Sequence, residues 1–192
     1  MPVNIPILLT WLRIVLIPLM IGIYYVPESW LLGAGRDPAA MLVFVVAGLT
    51  DWLDGYLARR WNETSAFGAF LDPVADKLVV AAALIMLVQL GRLDAILASI
   101  IIGREITISA LREWMAQVGA HKSVAVSMIG KVKTAAQMVS IPLLLYHAPI
   151  DGFDVQMIGT WLIYIAAVLT LWSMGYYMRM AWPHLAEQDR ER

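Results

Sequence analysis

The sequence contains no cysteine and few charged residues. The lack of cysteine excludes disulfides, thiolate metal sites and a cysteine nucleophile. Charged residues make up 15% of the chain, against about 25% in an average soluble domain, while hydrophobic residues make up 60%. The formal net charge of −1 argues against a nucleic-acid binder that depends on overall positive charge. A soluble globular domain and a disordered chain are excluded, and an integral membrane protein remains.

Long apolar runs are abundant in this chain. A helix needs about 20 apolar residues to cross the hydrocarbon core of a bilayer. Six runs have this length, at residues 5–26, 38–60, 68–90, 94–117, 124–146 and 156–179. We therefore predict an all-α polytopic membrane protein with six transmembrane helices. Residues 1–182 are predicted to form a single domain, followed by a short polar tail at residues 183–192.

Lysine and arginine are unevenly distributed between the predicted loops. The loops opposite the termini contain only Arg36 and Arg92, whereas Arg59, Arg60 and Lys122 lie on the side of the termini. Positively charged residues are enriched in cytoplasmic loops. We therefore predict that both termini face the cytoplasm.

Four aspartates lie inside the second and third predicted helices, where an ionised group is costly. Asp51 and Asp54 are three residues apart, and Asp72 and Asp76 are four apart, so each pair occupies one helix face. Because a short loop joins the two helices, the pairs lie at similar depth, roughly 10–15 Å from that loop. We expect the fold to bring the four carboxylates together.

Three interpretations of the four aspartates are open. Salt bridges with Arg59, Arg60 or Lys77 would neutralise them, and an ion or proton transporter would use them as a pathway. The third interpretation is a divalent cation site. Carboxylate ligands without histidine or cysteine favour Mg²⁺, Mn²⁺ or Ca²⁺, and four carboxylates can bridge two such ions for phosphoryl chemistry. We favour the cation site, because few bases lie nearby.

Small residues and an arginine accompany the aspartates at fixed spacing. Residues 51–76 read D-x-x-D-G-x-x-A-R, then eight residues, then G-x-x-x-D-x-x-x-D. Gly55, Ala58 and Gly68 lack bulk, so a ligand can approach the helix backbone beside them. The guanidinium of Arg59 fits phosphate oxygens.

This pattern is identified as the signature of the CDP-alcohol phosphatidyltransferases, and every fixed position matches. The resemblance extends from Asn4 to about Arg179 and includes Thr10 and Arg13. It implies six transmembrane helices, a homodimer and two divalent cations, Mg²⁺ or Mn²⁺. The reaction that it implies is transfer of a phosphatidyl group from CDP-diacylglycerol to an alcohol, with release of CMP.

The resemblance also implies roles for the motif residues. The metal-binding acids are Asp51, Asp54, Asp72 and Asp76. Asp76 is in addition the general base. The CDP-diacylglycerol-binding positions are Gly55, Ala58, Arg59 and Gly68.

Four basic residues lie in the fourth and fifth predicted helices: Arg104, Arg112, Lys131 and Lys133. The tendency of basic residues to lie near the cytoplasmic surface explains the position of Arg112 only in part. It explains the positions of Arg104 and Lys131 poorly. We expect the four to line an anion pocket for a phosphorylated acceptor. Glycerol 3-phosphate fits, and the resemblance to one bacterial branch of the family implies it. Serine, inositol phosphate and phosphatidylglycerol are the alternative acceptors.

Overall fold

The protein is described by a computed structural model that covers residues 5–31, 33, 35–61, 66–117, 128–150 and 152–188. The described part contains six α-helices: α1 (Ile5–Gly22), α2 (Arg36–Trp61), α3 (Ala66–Gln89), α4 (Ala95–Gln117), α5 (Met128–Tyr146) and α6 (Val155–Gln188). A short 3-10 helix, Glu28–Trp30, lies between α1 and α2. No strand is present in these ranges, so the predicted all-α class is confirmed for them.

Each helix coincides with one predicted apolar run, but two ends differ. The first helix ends at Gly22 rather than residue 26, and turns followed by the 3-10 helix occupy the space before α2. The last helix continues to Gln188, into the segment predicted as a polar tail. The start of the fifth predicted run, at residues 124–127, lies outside the described residues.

Only part of the helical bundle has the composition of clear membrane spans. Among the described residues, Arg36–Ala58 and Val155–Met180 are long and apolar enough to cross a membrane, and Ile7–Gly22 and Val132–Tyr146 are shorter apolar helices. Charged residues lie within α3 and α4, and these lower their hydropathy. The crossing of a membrane by all six helices therefore stays a prediction.

The helices pack side by side as a closed ring. Along this ring α1 contacts α2, α2 contacts α5, α5 contacts α6, α6 contacts α4, α4 contacts α3, and α3 returns to α1. Weaker contacts link α3 to α2 and to α5 across the ring. This order places α3 and α5 against one interior space.

The interior of the ring changes character along its length. One end is an apolar core that includes Met20, Phe44, Leu84, Ile101 and Leu144. At the other end many of the buried side chains are polar. They include Thr10, Arg13, Asp54, Arg104, Lys133, Gln137 and Ser173. Because buried polar groups cost free energy unless they are paired, the polar end is the part of the fold where function is expected.

The outside of the ring is unusually apolar. Trp52, Leu42, Trp161, Val168 and Trp172 are each 59–69% exposed. Large apolar side chains distributed around the outer surface of a helical bundle are typical of a protein that faces lipid. Together with the apolar helices, this surface is consistent with a membrane protein.

The turn between α3 and α4 is held by an arginine. Gly91, with φ at +69°, makes the tight turn possible. Arg92 Nη2 donates to Asp37 Oδ2 at 2.6 Å, and Arg92 Nη1 donates to the carbonyl of Leu145 at 2.7 Å. Arg92 therefore links the turn to the start of α2 and the end of α5, at the apolar end of the ring.

Replacing Arg92 with methionine is expected to destabilise the fold without changing the chemistry. Arg92→Met leaves Asp37 Oδ2 and the Leu145 carbonyl without the Arg92 donor, although Tyr24 still donates to Asp37 Oδ1 at 3.2 Å. The expected loss in free energy of unfolding is about 2–3 kcal/mol. Thermal unfolding in detergent measures it. Arg60→Met, at an exposed arginine, is the matched control and is expected to change stability by less than about 0.5 kcal/mol. Equal melting temperatures for the two variants would contradict the prediction.

Candidate active site

The four aspartates predicted to meet all contact one helix, α1. Arg13 Nη2 pairs with Asp54 Oδ2 and lies 3.2 Å from Asp51 Oδ1, while its Nη1 pairs with Asp76 Oδ1. Thr10, one turn earlier on α1, donates to Asp72 Oδ1 at 2.5 Å. The carboxylates of α2 and α3 are therefore brought together around two side chains of α1. We call Arg13 and these four aspartates the carboxylate cluster.

The arginine of the carboxylate cluster was not expected from the sequence. Salt bridges were considered with Arg59, Arg60 or Lys77, and the observed partner is instead Arg13, which is 1% exposed. Arg60 donates to the hydroxyl of Tyr56, and Lys77 Nζ donates to the carbonyl of Pro73. The side chain of Arg59 lies outside the described part. A single arginine inside an otherwise apolar first helix was the available signal.

The donor set of the cluster suits a hard divalent cation. Carboxylates are the ligands that Mg²⁺ and Mn²⁺ prefer. The side chains of Asp51 and Asp76 are 41% and 38% exposed, so part of their oxygen surface stays accessible. Among the described residues, however, no group of three acidic or histidine side chains is placed to hold a cation as it stands. Three of the carboxylates share the Arg13 guanidinium instead, so binding of a cation requires them to turn away from it.

A cavity of about 270 Å³ opens beside the carboxylate cluster. Four helices form its wall. The residues that line it are Asp51, Pro73, Asp76, Lys77, Val80, Glu105, Ser109, Arg112, Thr134, Gln137 and Met138. Its volume lies just below the range of about 300–1,000 Å³ that is usual for drug-sized ligands, so it fits a small polar molecule.

The predicted CDP-diacylglycerol positions lie next to the cluster on α2 and α3. Gly55 directly follows Asp54, and Ala58 lies one turn further along α2. Both are partly exposed, whereas Gly68 is buried on α3. None of these three is among the residues that line the cavity. The predicted CDP-diacylglycerol positions therefore lie outside this cavity, which contains Asp51 and Asp76 of the carboxylate cluster.

The predicted acceptor-binding cations are divided between the cavity and its surroundings. Arg112 lines the cavity, donates to the hydroxyl of Tyr177 at 3.1 Å and lies 5.1 Å from that ring's centre. Arg104 and Lys133 do not line it and are 6% and 2% exposed. The side chain of Lys131 lies outside the part of α5 that the structure describes. Of the three described cations, only Arg112 is therefore placed to meet a molecule in the cavity.

Glu105 joins the two buried cations to the cavity. Its Oε1 pairs with Lys133 and lies 3.4 Å from Arg104 Nη1, and Arg104 Nη2 donates to Ser173 Oγ at 2.7 Å. Glu105 itself lines the cavity. Glu105 was not predicted to be a site residue, although an acid in the middle of an apolar helix next to Arg104 was a visible signal.

Comparison with known proteins agrees with the motif. The family model of the CDP-alcohol phosphatidyltransferases matches residues 3–172. The chain is 50% identical to the CDP-diacylglycerol–glycerol-3-phosphate 3-phosphatidyltransferases of Shigella flexneri serotype 5b (strain 8401) and Escherichia coli (strain K12). Each alignment covers 98% of this chain and the whole of the relative. Motif, helical architecture and comparison agree, and the chain belongs to the CDP-alcohol phosphatidyltransferase family.

Proposed function

We propose that this protein transfers the phosphatidyl group of CDP-diacylglycerol to glycerol 3-phosphate, with release of CMP. The names of the relatives at 50% identity support this reaction. The observation that carries the proposal is the composition of the cavity, whose wall contains both the carboxylate of Asp76 and the guanidinium of Arg112. Such a cavity suits a small acceptor that has a hydroxyl to be deprotonated and a phosphate to be neutralised.

Asp76 is the proposed general base. It lines the cavity and its side chain is 38% exposed, whereas that of Asp54 is 5% exposed and does not line it. A base must lie within hydrogen-bond reach of the proton that it takes, so Asp76 is better placed than Asp54. The acceptor hydroxyl gives its proton to Asp76, and its oxygen bonds to the phosphorus of the phosphatidyl group. The bond from that phosphorus to the bridging oxygen breaks, and CMP leaves with the oxygen.

The proposed cofactors are two divalent cations, Mg²⁺ or Mn²⁺, held by Asp51, Asp54, Asp72 and Asp76. When bound, such ions neutralise diphosphate charge and make its phosphorus more electrophilic. Gly55, Ala58 and Gly68 leave room for the CDP group against the helix backbone. Arg59 is proposed to bind the diphosphate through its forked guanidinium.

Arg112 is the proposed direct contact to the acceptor phosphate, through charge-assisted hydrogen bonds. Arg104 and Lys133 act from behind the cavity wall, because both are held by Glu105. Lys131 is kept as a proposed phosphate ligand on the basis of the sequence alone. This division of the four basic residues is a refinement of the expectation that all of them line the pocket.

We further infer that all six helices span the bacterial cytoplasmic membrane, with both termini and the active site on the cytoplasmic side. The apolar outer surface and the distribution of arginines and lysines support this arrangement. The acyl chains of the donor then stay in the bilayer while its nucleotide reaches the polar end of the ring. A homodimer is inferred from the family resemblance.

An acceptor panel tests the proposed function. The purified protein in detergent receives CDP-diacylglycerol, Mg²⁺ and one of glycerol 3-phosphate, serine, inositol 1-phosphate or phosphatidylglycerol, and CMP release is measured. Glycerol 3-phosphate is expected to exceed every other acceptor in kcat/KM by at least about a hundredfold. Serine lacks a phosphate, the phosphate of phosphatidylglycerol is a diester with a single negative charge, and inositol 1-phosphate offers only secondary hydroxyls on a bulkier ring. Equal or faster release with another acceptor would overturn the assignment. No CMP with any acceptor would contradict phosphatidyl transfer, and ion flux in sealed vesicles would then test the transporter alternative.

A further inference from the structure

The α5 side of the cavity contains a buried amide whose hydrogen-bond donor is unused. Gln137 is 4% exposed and lines the cavity. Its Nε2 is buried and has no hydrogen-bond partner within the described structure. Buried polar groups are nearly always hydrogen-bonded in native proteins, because an unpaired donor carries its full desolvation cost. A buried amide at a cavity wall is therefore suited to pair with a molecule in the cavity.

The other groups of the wall limit which part of an acceptor this amide can meet. Asp51, Asp76 and Glu105 are carboxylates, which accept hydrogen bonds. Lys77 and Arg112 are cations, which make the stronger, charge-assisted bonds that a phosphate demands. The Gln137 amide is a neutral donor. It suits an uncharged oxygen such as that of a hydroxyl.

Glycerol 3-phosphate has three polar parts, and the wall offers a matching group for each. The reacting primary hydroxyl is assigned to Asp76 and the phosphate to Arg112. The secondary hydroxyl remains. We propose that Gln137 Nε2 donates a hydrogen bond to this secondary hydroxyl and so makes Gln137 a specificity-determining residue. The inference rests on the proposed function, since it takes glycerol 3-phosphate as the acceptor.

An acceptor analogue without the secondary hydroxyl isolates this contact. With 3-hydroxypropyl phosphate the reacting hydroxyl and the phosphate are kept, while the amide of Gln137 stays unpaired. The wild-type protein is expected to prefer glycerol 3-phosphate over the analogue by about 10- to 100-fold in kcat/KM, the effect of leaving one buried donor unpaired.

Gln137→Leu removes the amide at similar size. This variant is expected to lose the preference, because leucine has no donor for the secondary hydroxyl. Its kcat/KM for glycerol 3-phosphate should fall to about the value for 3-hydroxypropyl phosphate, while the value for the analogue should change less than about threefold. Met138→Leu is the matched control, since Met138 is the next residue on α5 and also lines the cavity. It is expected to keep the full preference.

Three results would overturn the inference. The first is equal kcat/KM of the wild-type protein for the two acceptors, because the secondary hydroxyl would then contribute nothing. An equal fall in kcat/KM for both acceptors in Gln137→Leu contradicts the inference as well, since the loss of a phosphate contact or of a structural role would produce that pattern. Should Gln137→Leu fail to fold, Gln137→Asn replaces it, and the third contradicting result is a loss of kcat/KM by this variant that is not confined to glycerol 3-phosphate. Failure of the proposed function is distinct, because CMP would then be released with neither acceptor.

Discussion

Asp76→Asn is expected to lower the rate of CMP release by about 10²–10⁴-fold, the range that a positioned general base contributes. Asparagine keeps the size of the side chain, but its amide cannot take the proton of the acceptor hydroxyl. The same change removes one proposed cation ligand, so the fall should lie at the upper end of this range. Single-turnover and steady-state assays of CMP release with glycerol 3-phosphate measure the effect.

Asp94→Asn is the matched control for this loss. Asp94 is exposed at the start of α4, where its Oδ1 accepts from the backbone N–H of Ile96 at 2.8 Å. Asparagine caps a helix about as well as aspartate, so neither stability nor rate should change. Retention of more than a tenth of the wild-type rate by folded Asp76→Asn would show that Asp76 is not the base.

Arg13→Met is expected to have the largest effect on stability. The guanidinium is buried and shared by Asp51, Asp54 and Asp76. Removing one side of a buried ion pair costs about 3–5 kcal/mol, because the remaining charge stays uncompensated. Thermal unfolding in detergent with EDTA measures the loss, and Arg13→Lys, which keeps the charge but not the fork, is expected to lose less.

The same variant reports on the proposed cation site. If cations bind the four carboxylates, Mg²⁺ should raise the melting temperature of Arg13→Met more than that of the wild-type protein, because it replaces the missing positive charge. Arg92→Met provides the comparison, since it is destabilised at the other end of the ring and should respond to Mg²⁺ as the wild-type protein does. An equal Mg²⁺ response in all three proteins would contradict binding of Mg²⁺ at the carboxylate cluster.

Much of the architecture was accessible from the sequence because it depends on local properties. The length of an apolar run and the spacing of residues along it predict a helix without reference to the rest of the chain. The six helices accordingly coincide with the six predicted runs. The last helix continues beyond residue 179, where the apolar pattern fades, whereas the first helix ends at Gly22 although residues 23–26 are still apolar. At both ends the pattern of the sequence does not set how far the helix continues.

The meeting of the four aspartates was also predictable, because it follows from the way the chain connects α2 to α3. Only four residues separate α2 from α3, so the two helices are antiparallel neighbours and aspartates at similar distances from the connection lie near one another. The role of Arg13 was not predictable in this way. It lies 63 residues before Asp76, and nothing local to either residue says that α1 packs against both α2 and α3.

The sequence by itself determined the all-helical class, the approximate helix positions and the meeting of the four aspartates on two neighbouring helices. Only the tertiary structure decided which side chains face one another. It placed Arg13 among the carboxylates, Arg112 and Gln137 at the cavity, and Arg104 and Lys133 behind Glu105. The physical reason is that residue spacing gives the direction of a side chain around its own helix, whereas its partner depends on which other helix lies in that direction. That choice is made by the packing of the whole ring.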